Sequence, residues 1–474
     1  MSGPGDFVHL QVRSSYSLMR GASSLEALCS AAAGRGMRAI ACTDVDGLYG
    51  VVRFREIALE CGLRPILGAE VTAPETRRLR AGERATLLVK TPEGYANLCR
   101  ILTRRHLDPG FSVLAALRGD TQGLVVLSPS LAVLQAALEA RGPRDLHLAL
   151  GSSAAPSAAE GTFERLRAAR RLGIGPVAVN DVHFVDARDF DLHRLLRAIA
   201  LNTTLDRVPP EELASSQAWL KPPAEMERAY PHCPEALAAT ARIAEECVLD
   251  EAPWGALVFP RFADLSIDGA PADPGGDSFA LLLARCEEGA RRRYGAITPA
   301  VRARLDHELA IIRDKEFADY FLVVQEIVKR SPRTCGRGSA ASSIVSYVLG
   351  ITHVEPIRHD LYFERFLNRG RVDPPDIDVD FCWDERDDLL AWVFKTIGEE
   401  RTAMIANHVT FRARAAVREV AKVYGLPDAE IARVATGLSR YWGTGTALEA
   451  TKRSPLFRGQ EFDPRRGGML ARPP

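Results

Sequence analysis

Six short apolar runs punctuate the first 185 residues: RAIACTD, RPILGAEV, ATLLVK, GLVVLS, DLHLALG and GPVAVNDVHF. Each has strand length and is followed by an Ala/Leu/Arg-rich stretch long enough for a helix. Runs apolar at successive positions suit strands covered on both faces, which is how parallel sheets occur. The amino-terminal part is therefore expected to be a barrel or open α/β sheet built from parallel βαβ units.

The chain has 474 residues, 46% of them hydrophobic and 26% charged, enough to bury sizeable cores and spread over two to four domains. This composition excludes disordered and fibrous classes. No run of 18 apolar residues exists, and the start, MSGPGDFVHLQV, has neither a basic nor an apolar leader region. No membrane partner and a cytoplasmic location are the expectations. Nine cysteines without a CxxC pair suit reduced, buried thiols better than a disulfide framework or zinc knuckle. Basic and acidic residues balance at 61 each, so nucleic-acid binding would need a local patch. Only seven of the basic residues are lysine. The arginine excess suits phosphate recognition, and equally a GC-rich genome.

The stretch IDGAPADPGGDS at 267–278 has the composition of a linker. Beyond it, helices are expected at 279–294, 299–315 and 320–329, then a Gly-rich turn, another helix, a short acidic strand and a helical segment at 411–425. The most informative segment is PPDIDVDF, ending at Phe381. In a strand Asp376, Asp378 and Asp380 share one face, about 7 Å apart, and Ile377, Val379 and Phe381 the other. Aspartate is depleted in strands, and like charges at this spacing repel unless cations neutralise them. Hard oxygen ligands suit Mg²⁺ in phosphoryl or nucleotidyl transfer. A solvated strand face is the other reading.

Upstream, CGRGSAASS runs into the apolar segment Ile344 to Leu349. Glycines before a helix let backbone N–H groups converge on a phosphate, with Arg337 and Ser339 as further donors. No GK[ST] follows, so this is not a Walker A loop, and an ordinary capped turn is the alternative. Between the two lies FERFLNRGR, where Arg365, Arg369 and Arg371 suit a triphosphate or nucleic-acid backbone, or form a solvated basic face.

In this order, EFADYFLVVQEIV, CGRGSAAS, GITHVEPI, YFERFLN, PPDIDVDF and VTFRARAAVREVAKVYGL resemble the bacterial C-family DNA polymerases: the alpha subunit of polymerase III and, closest in wording, its error-prone branch. The resemblance covers residues 6 to 445. It implies an α/β multidomain chain: a PHP-type (β/α) barrel over 1–262, an incomplete nucleotidyltransferase-type palm over 263–405, a partial helical thumb over 406–446, and an unstructured tail over 447–474. Asp376 and Asp378 are then the catalytic, Mg²⁺-binding carboxylates, with Asp380 a more distant helper. Arg337, Gly338, Ser339 and Arg365 handle nucleotide and primer, and Arg412, Arg414 and Arg418 lie along duplex phosphates. Primer-template DNA and deoxynucleoside triphosphates are the implied partners, and error-prone or translesion DNA synthesis the implied function.

Two departures qualify the resemblance. The family's third catalytic carboxylate arrives well over a hundred residues after the acidic strand, whereas 94 residues follow Asp380 here. Asp463, in EFDPRRGGML, lacks the spacing and the strand pattern. A truncated or split polymerase is expected, with a separately encoded carboxy-terminal half as partner. A remnant that binds nucleic acid or a partner without chemistry is the alternative. The PHP metal ligands are also depleted: Gln11 and Arg13 stand in place of the HxH pair and Val45 in place of a histidine, although Asp44, Glu70, Asp181 and His183 remain. A guanidinium cannot ligate a metal, so no metal is expected there, PHP phosphoesterase activity is disfavoured, and His9 reads as a strand residue. Arg13 is expected to project among the leftover acids Asp44, Glu70 and Asp181, because buried carboxylates without a cation are costly.

Overall fold

The computed structural model describes residues 7–74, 83–119, 121–151, 156–255, 258–267, 270–272, 276–371 and 375–436. The chain divides into two compact units, one of Met1–Gly255 with Val409–Pro474, the other of Ala256–His408.

In the first unit the apolar runs are strands: β1 (Ala39–Val45), β2 (Arg64–Thr72), β3 (Arg84–Val89), β4 (Leu124–Ser128), β5 (Leu146–Gly151) and β6 (Gly175–Val179). They form one sheet in chain order. β1 pairs parallel to β2, and β4, β5 and β6 are mutually parallel, but β3 is antiparallel to both neighbours. The expectation of parallel units throughout is thus corrected at β3. Only residues 73–83 connect β2 to β3, fewer than the dozen or more that a parallel crossover needs.

The extended segment at 9–13 links the two edges of this sheet. On one side Ala41 N donates to His9 O (3.0 Å) and Thr43 N to Val12 O (2.8 Å); on the other Val182 N donates to Gln11 O (3.0 Å) and Arg13 N to Val182 O (2.9 Å). The half-barrel so closed is buried on both faces, with alternate residues turned to each. Ala39, Ala41, Leu88, Val125 and Val177 pack with Ala239 and Ile243 of the helix Pro234–Glu246, while Ile40, Leu87, Leu124, Val126 and Ala178 belong to the core beneath the other helices. Ser24, Thr91, Ser112 and Ser130 each accept a backbone N–H of the first turn that follows them, so the helix starts are written locally.

The helix Ala413–Val423, within the segment expected as a partial thumb, packs inside this first unit: Val423 shares a small core with Ala198 and Val208, beside Leu195 and Ile199 of the helix Phe190–Ala200. The expected tail at 447–474, and Asp463 in it, lie outside the described residues.

The second unit is largely helical. Its helices Ser278–Tyr294, Pro299–Asp314 and Ala318–Val328 fall within two residues of the sequence expectation. It begins earlier than the linker-like composition suggests, because Phe262 and Leu265 already belong to its core. A short pair, β7 (Ser266–Ile267) and β8 (Ala270–Pro271), precedes the helices, and an antiparallel pair of strands distant in the chain, β9 (Thr334–Arg337) and β10 (Asp378–Phe381), carries the motifs. Phe321, Phe363, Phe366 and Ile344 are fully buried around it. Among the described residues no helix is long and apolar enough to cross a membrane.

Candidate functional site

Pairing of β9 with β10 brings the two strongest motifs together. Asp378 lies opposite Arg337, Val379 opposite Gly336 and Asp380 opposite Cys335. The alternation expected of the acidic segment is realised: Asp376, Asp378 and Asp380 are exposed, while Ile377, Val379 and Phe381 are partly buried against the core. The paired strand is shorter than the expected one, because β9 offers partners only as far as Asp378; Asp376 stands just before the ladder, and Pro374 lies outside the described residues. Asp378 and Asp380 are therefore held by backbone pairing. Asp376 is positioned from its neighbour, where Ile377 N donates to Tyr320 Oη at 3.2 Å. Burial raises the Tyr320 pKa, and the nearby Asp376 and Asp378 carboxylates raise it further.

The glycines of the loop have definite jobs. Gly338 has φ +62°, and a Cβ there would sit 3.2 Å from Asp378 Oδ2; a Cβ on Gly336 would lie 2.5 Å from Ile351 O. Gly338 thus supplies the left-handed backbone of the loop and lets it lie close to Asp378, while Gly336 lets β9 lie against the backbone of Ile351. Arg337 Nη1 reaches Asp380 Oδ2 at 2.9 Å in an exposed ion pair, whereas Asp376 and Asp378 carry no ion pair among the described residues. Ser339 and Arg365 are exposed.

Two residues that the motifs do not announce hold this arrangement. Glu308 is fully buried and accepts from Arg304 Nε (2.7 Å), Ser343 Oγ (2.7 Å), Ile344 N (3.0 Å) and Val345 N (3.2 Å). It ties the end of the Gly-rich loop to the helix Pro299–Asp314. Burial raises its pKa in spite of those donors. Arg304 donates through Nη2 to Ser342 O (3.1 Å) and Leu361 O (2.7 Å), so the turn Gly338–Ser342 and the turn Phe363–Arg365 pack together. A signal for Glu308 exists in the sequence: an acid at 308 falls on the apolar stripe of Val301, Leu305, Leu309 and Ile312.

In the first unit Arg13 lies where the sequence reading put it, among the leftover acids. Its guanidinium is buried and bonds both Glu70 and Asp181. Arg84 Nη1 stands 3.7 Å from Glu70 and 3.8 Å from Asp181. Asp44 is satisfied differently, by Ser14 N (2.7 Å), Ser14 Oγ (2.8 Å) and Ser17 Oγ (2.6 Å), serines that the motif reading overlooked. Burial pushes the Asp181 pKa up, but the charges of Arg13 and Arg84 outweigh it and hold the carboxyl far below the usual range. Gln11 donates to Thr86 Oγ1 (2.9 Å), and Val45 N to Ser17 Oγ (3.1 Å). His183 is buried, with Nδ1 2.8 Å from Asp181 O and Nε2 unpartnered among the described residues. Burial and the Arg13 charge keep its pKa well below the ordinary value. Among the described residues no three His, Cys, Asp or Glu side chains gather as a preformed metal site.

His9, a buried residue of the closing segment, places Nε2 2.8 Å from Lys221 O. Burial depresses His9, His147 and His193 to about 4. Their folded pKa lies below the unfolded value near 6.5, so their neutral forms are compatible with the fold at neutral pH, and stability is lost as pH falls from about 6.5 towards about 4. Each histidine gives a slope of up to about 1.4 kcal/mol per pH unit in that window. Urea unfolding between pH 7 and 5 measures it: stability falls towards pH 5, and His147→Gln flattens the slope. A pH-independent midpoint over this range would contradict the assignment.

Of the basic residues expected on duplex phosphates, Arg412 and Arg418 are exposed and Arg414 is partly buried, at the start of and along the helix Ala413–Val423.

Residues 9–171 match the PHP domain, and residues 280–463 match the bacterial DNA polymerase III alpha NTPase domain. The error-prone DNA polymerase of Symbiobacterium thermophilum is 36% identical over 95% of this chain and 44% of its own length. The error-prone DNA polymerase of Mycobacterium tuberculosis is 34% identical, over 88% and 40% respectively. The DNA polymerase III subunit alpha of Bacillus subtilis is 33% identical, over 95% and 41%. The chain spans less than half the length of these relatives. With a PHP domain followed by that NTPase domain, and the GRGS loop set against the acidic strand, the chain belongs to the family of bacterial DNA polymerase III alpha subunits and error-prone DNA polymerases.

Proposed function

We propose that this chain supplies the nucleotide-binding and carboxylate portion of a cytoplasmic, error-prone DNA-directed DNA polymerase. The observation that carries the reading is the β9–β10 pairing, which sets Asp378 and Asp380 against the Gly-rich loop. The donor set fits Mg²⁺, which is bound through one or two carboxylates plus substrate phosphates and needs no preformed protein cage. Asp376 and Asp378 would hold the metal, with Asp380, released from Arg337, beside them. Bound there, Mg²⁺ would neutralise phosphate charge and lower the pKa of a primer 3′-OH.

This chain's own residues do the rest. Arg337 and Ser339 bind the triphosphate of an incoming deoxynucleotide, Gly338 leaves room for it, and Arg365 binds primer or nucleotide phosphate. The PHP domain serves as structure, since Arg13 fills the cluster that a metal-dependent phosphoesterase would need open. Completion of the site falls to a further polypeptide segment, which this reading assigns to a separately encoded carboxy-terminal half. A second reading, DNA binding without chemistry, is favoured by the ion pair of Arg337 with Asp380, which compensates part of the acidic face without a metal.

Primer extension with Mg²⁺ and four deoxynucleotides, alone and with the remainder of a relative added, tests the proposal beside Mn²⁺ binding followed by electron paramagnetic resonance. Asp376→Ala/Asp378→Ala is expected to weaken Mn²⁺ binding by about tenfold or more and to abolish extension. Metal affinity unchanged by the double substitution would leave only the DNA-binding reading.

A further inference from the structure

We infer that Tyr362, with Arg358 and Arg365, forms a stacking platform for single-stranded nucleic acid on the second unit. This rests on the reading of the chain as DNA-binding and adds a contact that the motifs do not assign. Tyr362 is 64% exposed, while the neighbouring Phe363 and Phe366 are fully buried. The ring therefore stands outward from a firmly anchored segment. Phe363 and Phe366 pin the turn Phe363–Arg365 into the core, and Arg304 holds the carbonyl of Leu361 at 2.7 Å. A tyrosine so mounted offers a large face at little entropic cost, since only its own two side-chain torsions remain to be ordered.

The charge around it selects the partner. Arg358 and Arg365 are exposed, and neither side chain has an ion pair among the described residues, unlike Arg369, which lies 3.6 Å from Asp314, and Arg371, which bonds Phe366 O. Two acids lie between them in the chain: Glu364 is engaged by His307 at 2.9 Å, and Asp360 is exposed, so the arginines are balanced by one acid that no basic side chain engages among the described residues. An exposed aromatic flanked in the chain by two exposed arginines without ion pairs suits a nucleobase stacked on the ring with its flanking phosphates on the arginines. The same turn packs against the turn Gly338–Ser342, so a base on Tyr362 would belong to a strand that passes the Gly-rich loop.

Fluorescence anisotropy of the full chain with a labelled single-stranded oligonucleotide, and with an abasic oligonucleotide of the same length, tests this. Tyr362→Ala is expected to weaken binding of the base-bearing strand by about tenfold and to leave the abasic strand unaffected, with Tyr362→Phe close to wild type on both. Equal weakening on both strands, or none on either, while the wild-type chain binds, would overturn the stacking role and leave the aromatic face to a protein partner. Wild-type protein that binds neither strand would instead overturn the DNA-binding reading beneath it. Because Tyr362 is exposed, an unchanged melting temperature in both variants accompanies the expected result.

Discussion

Arg13→Ala lowers the stability of the first unit by about 3 kcal/mol or more, read as a shift of its urea midpoint. The reason is electrostatic. Arg13 is buried and bonds both Glu70, itself buried, and Asp181, which is 36% exposed. Truncation leaves Glu70 as an uncompensated buried charge, the situation that costs about 3–5 kcal/mol; the partial exposure of Asp181 and the nearby Arg84 place the value towards the lower end. Removing the whole cluster costs less than breaking it. Arg13→Met combined with Glu70→Gln and Asp181→Asn is therefore expected to recover most of the loss. A change under about 1 kcal/mol for Arg13→Ala would show that the arginine is not the cation that compensates Glu70 and Asp181.

Glu308→Ala is the second large effect, about 3 kcal/mol or more on the second unit. Four donors converge on this carboxylate, and alanine leaves the N–H groups of Ile344 and Val345, the Ser343 hydroxyl and part of Arg304 unmet in a dry interior. Glu308→Gln keeps an acceptor and loses the charge, so about half of that loss is expected. The effect also reaches the candidate site, because the same carboxylate anchors the end of the Gly-rich loop whose other end is paired to the acidic strand. Hydrogen exchange resolves it: amides of Ile344 and Val345 lose protection in Glu308→Ala, and those of β9 and β10 follow. Retained protection at Ile344 and Val345 would rule out the anchoring role.

Both residues show how the site divides between what could be read along the chain and what could not. Arg13 is legible because the resemblance sets it beside the acids Asp44, Glu70 and Asp181, and buried acids call for a cation. Its choice of Glu70 and Asp181 over Asp44 is not, since Ser14 and Ser17 reach Asp44 through a turn of the chain that no spacing rule announces. Glu308 sits on an apolar stripe, a local oddity in the sequence, but its partners at 343–345 are brought to it by packing.

The sequence by itself determined the strands of the first unit, the three long helices of the second, the exposed face of Asp376, Asp378 and Asp380, and the family. Those features follow from periods of two and 3.6 residues, from caps one turn away and from motif order, all of them short-range properties. Only the tertiary structure decided that β3 runs against its neighbours, that Asp378 faces Arg337 while Asp380 binds it, and that Glu308 closes the loop. Each of those depends on which distant segments share a buried surface, and a buried charge or unpaired strand edge finds its partner by the geometry of the whole core.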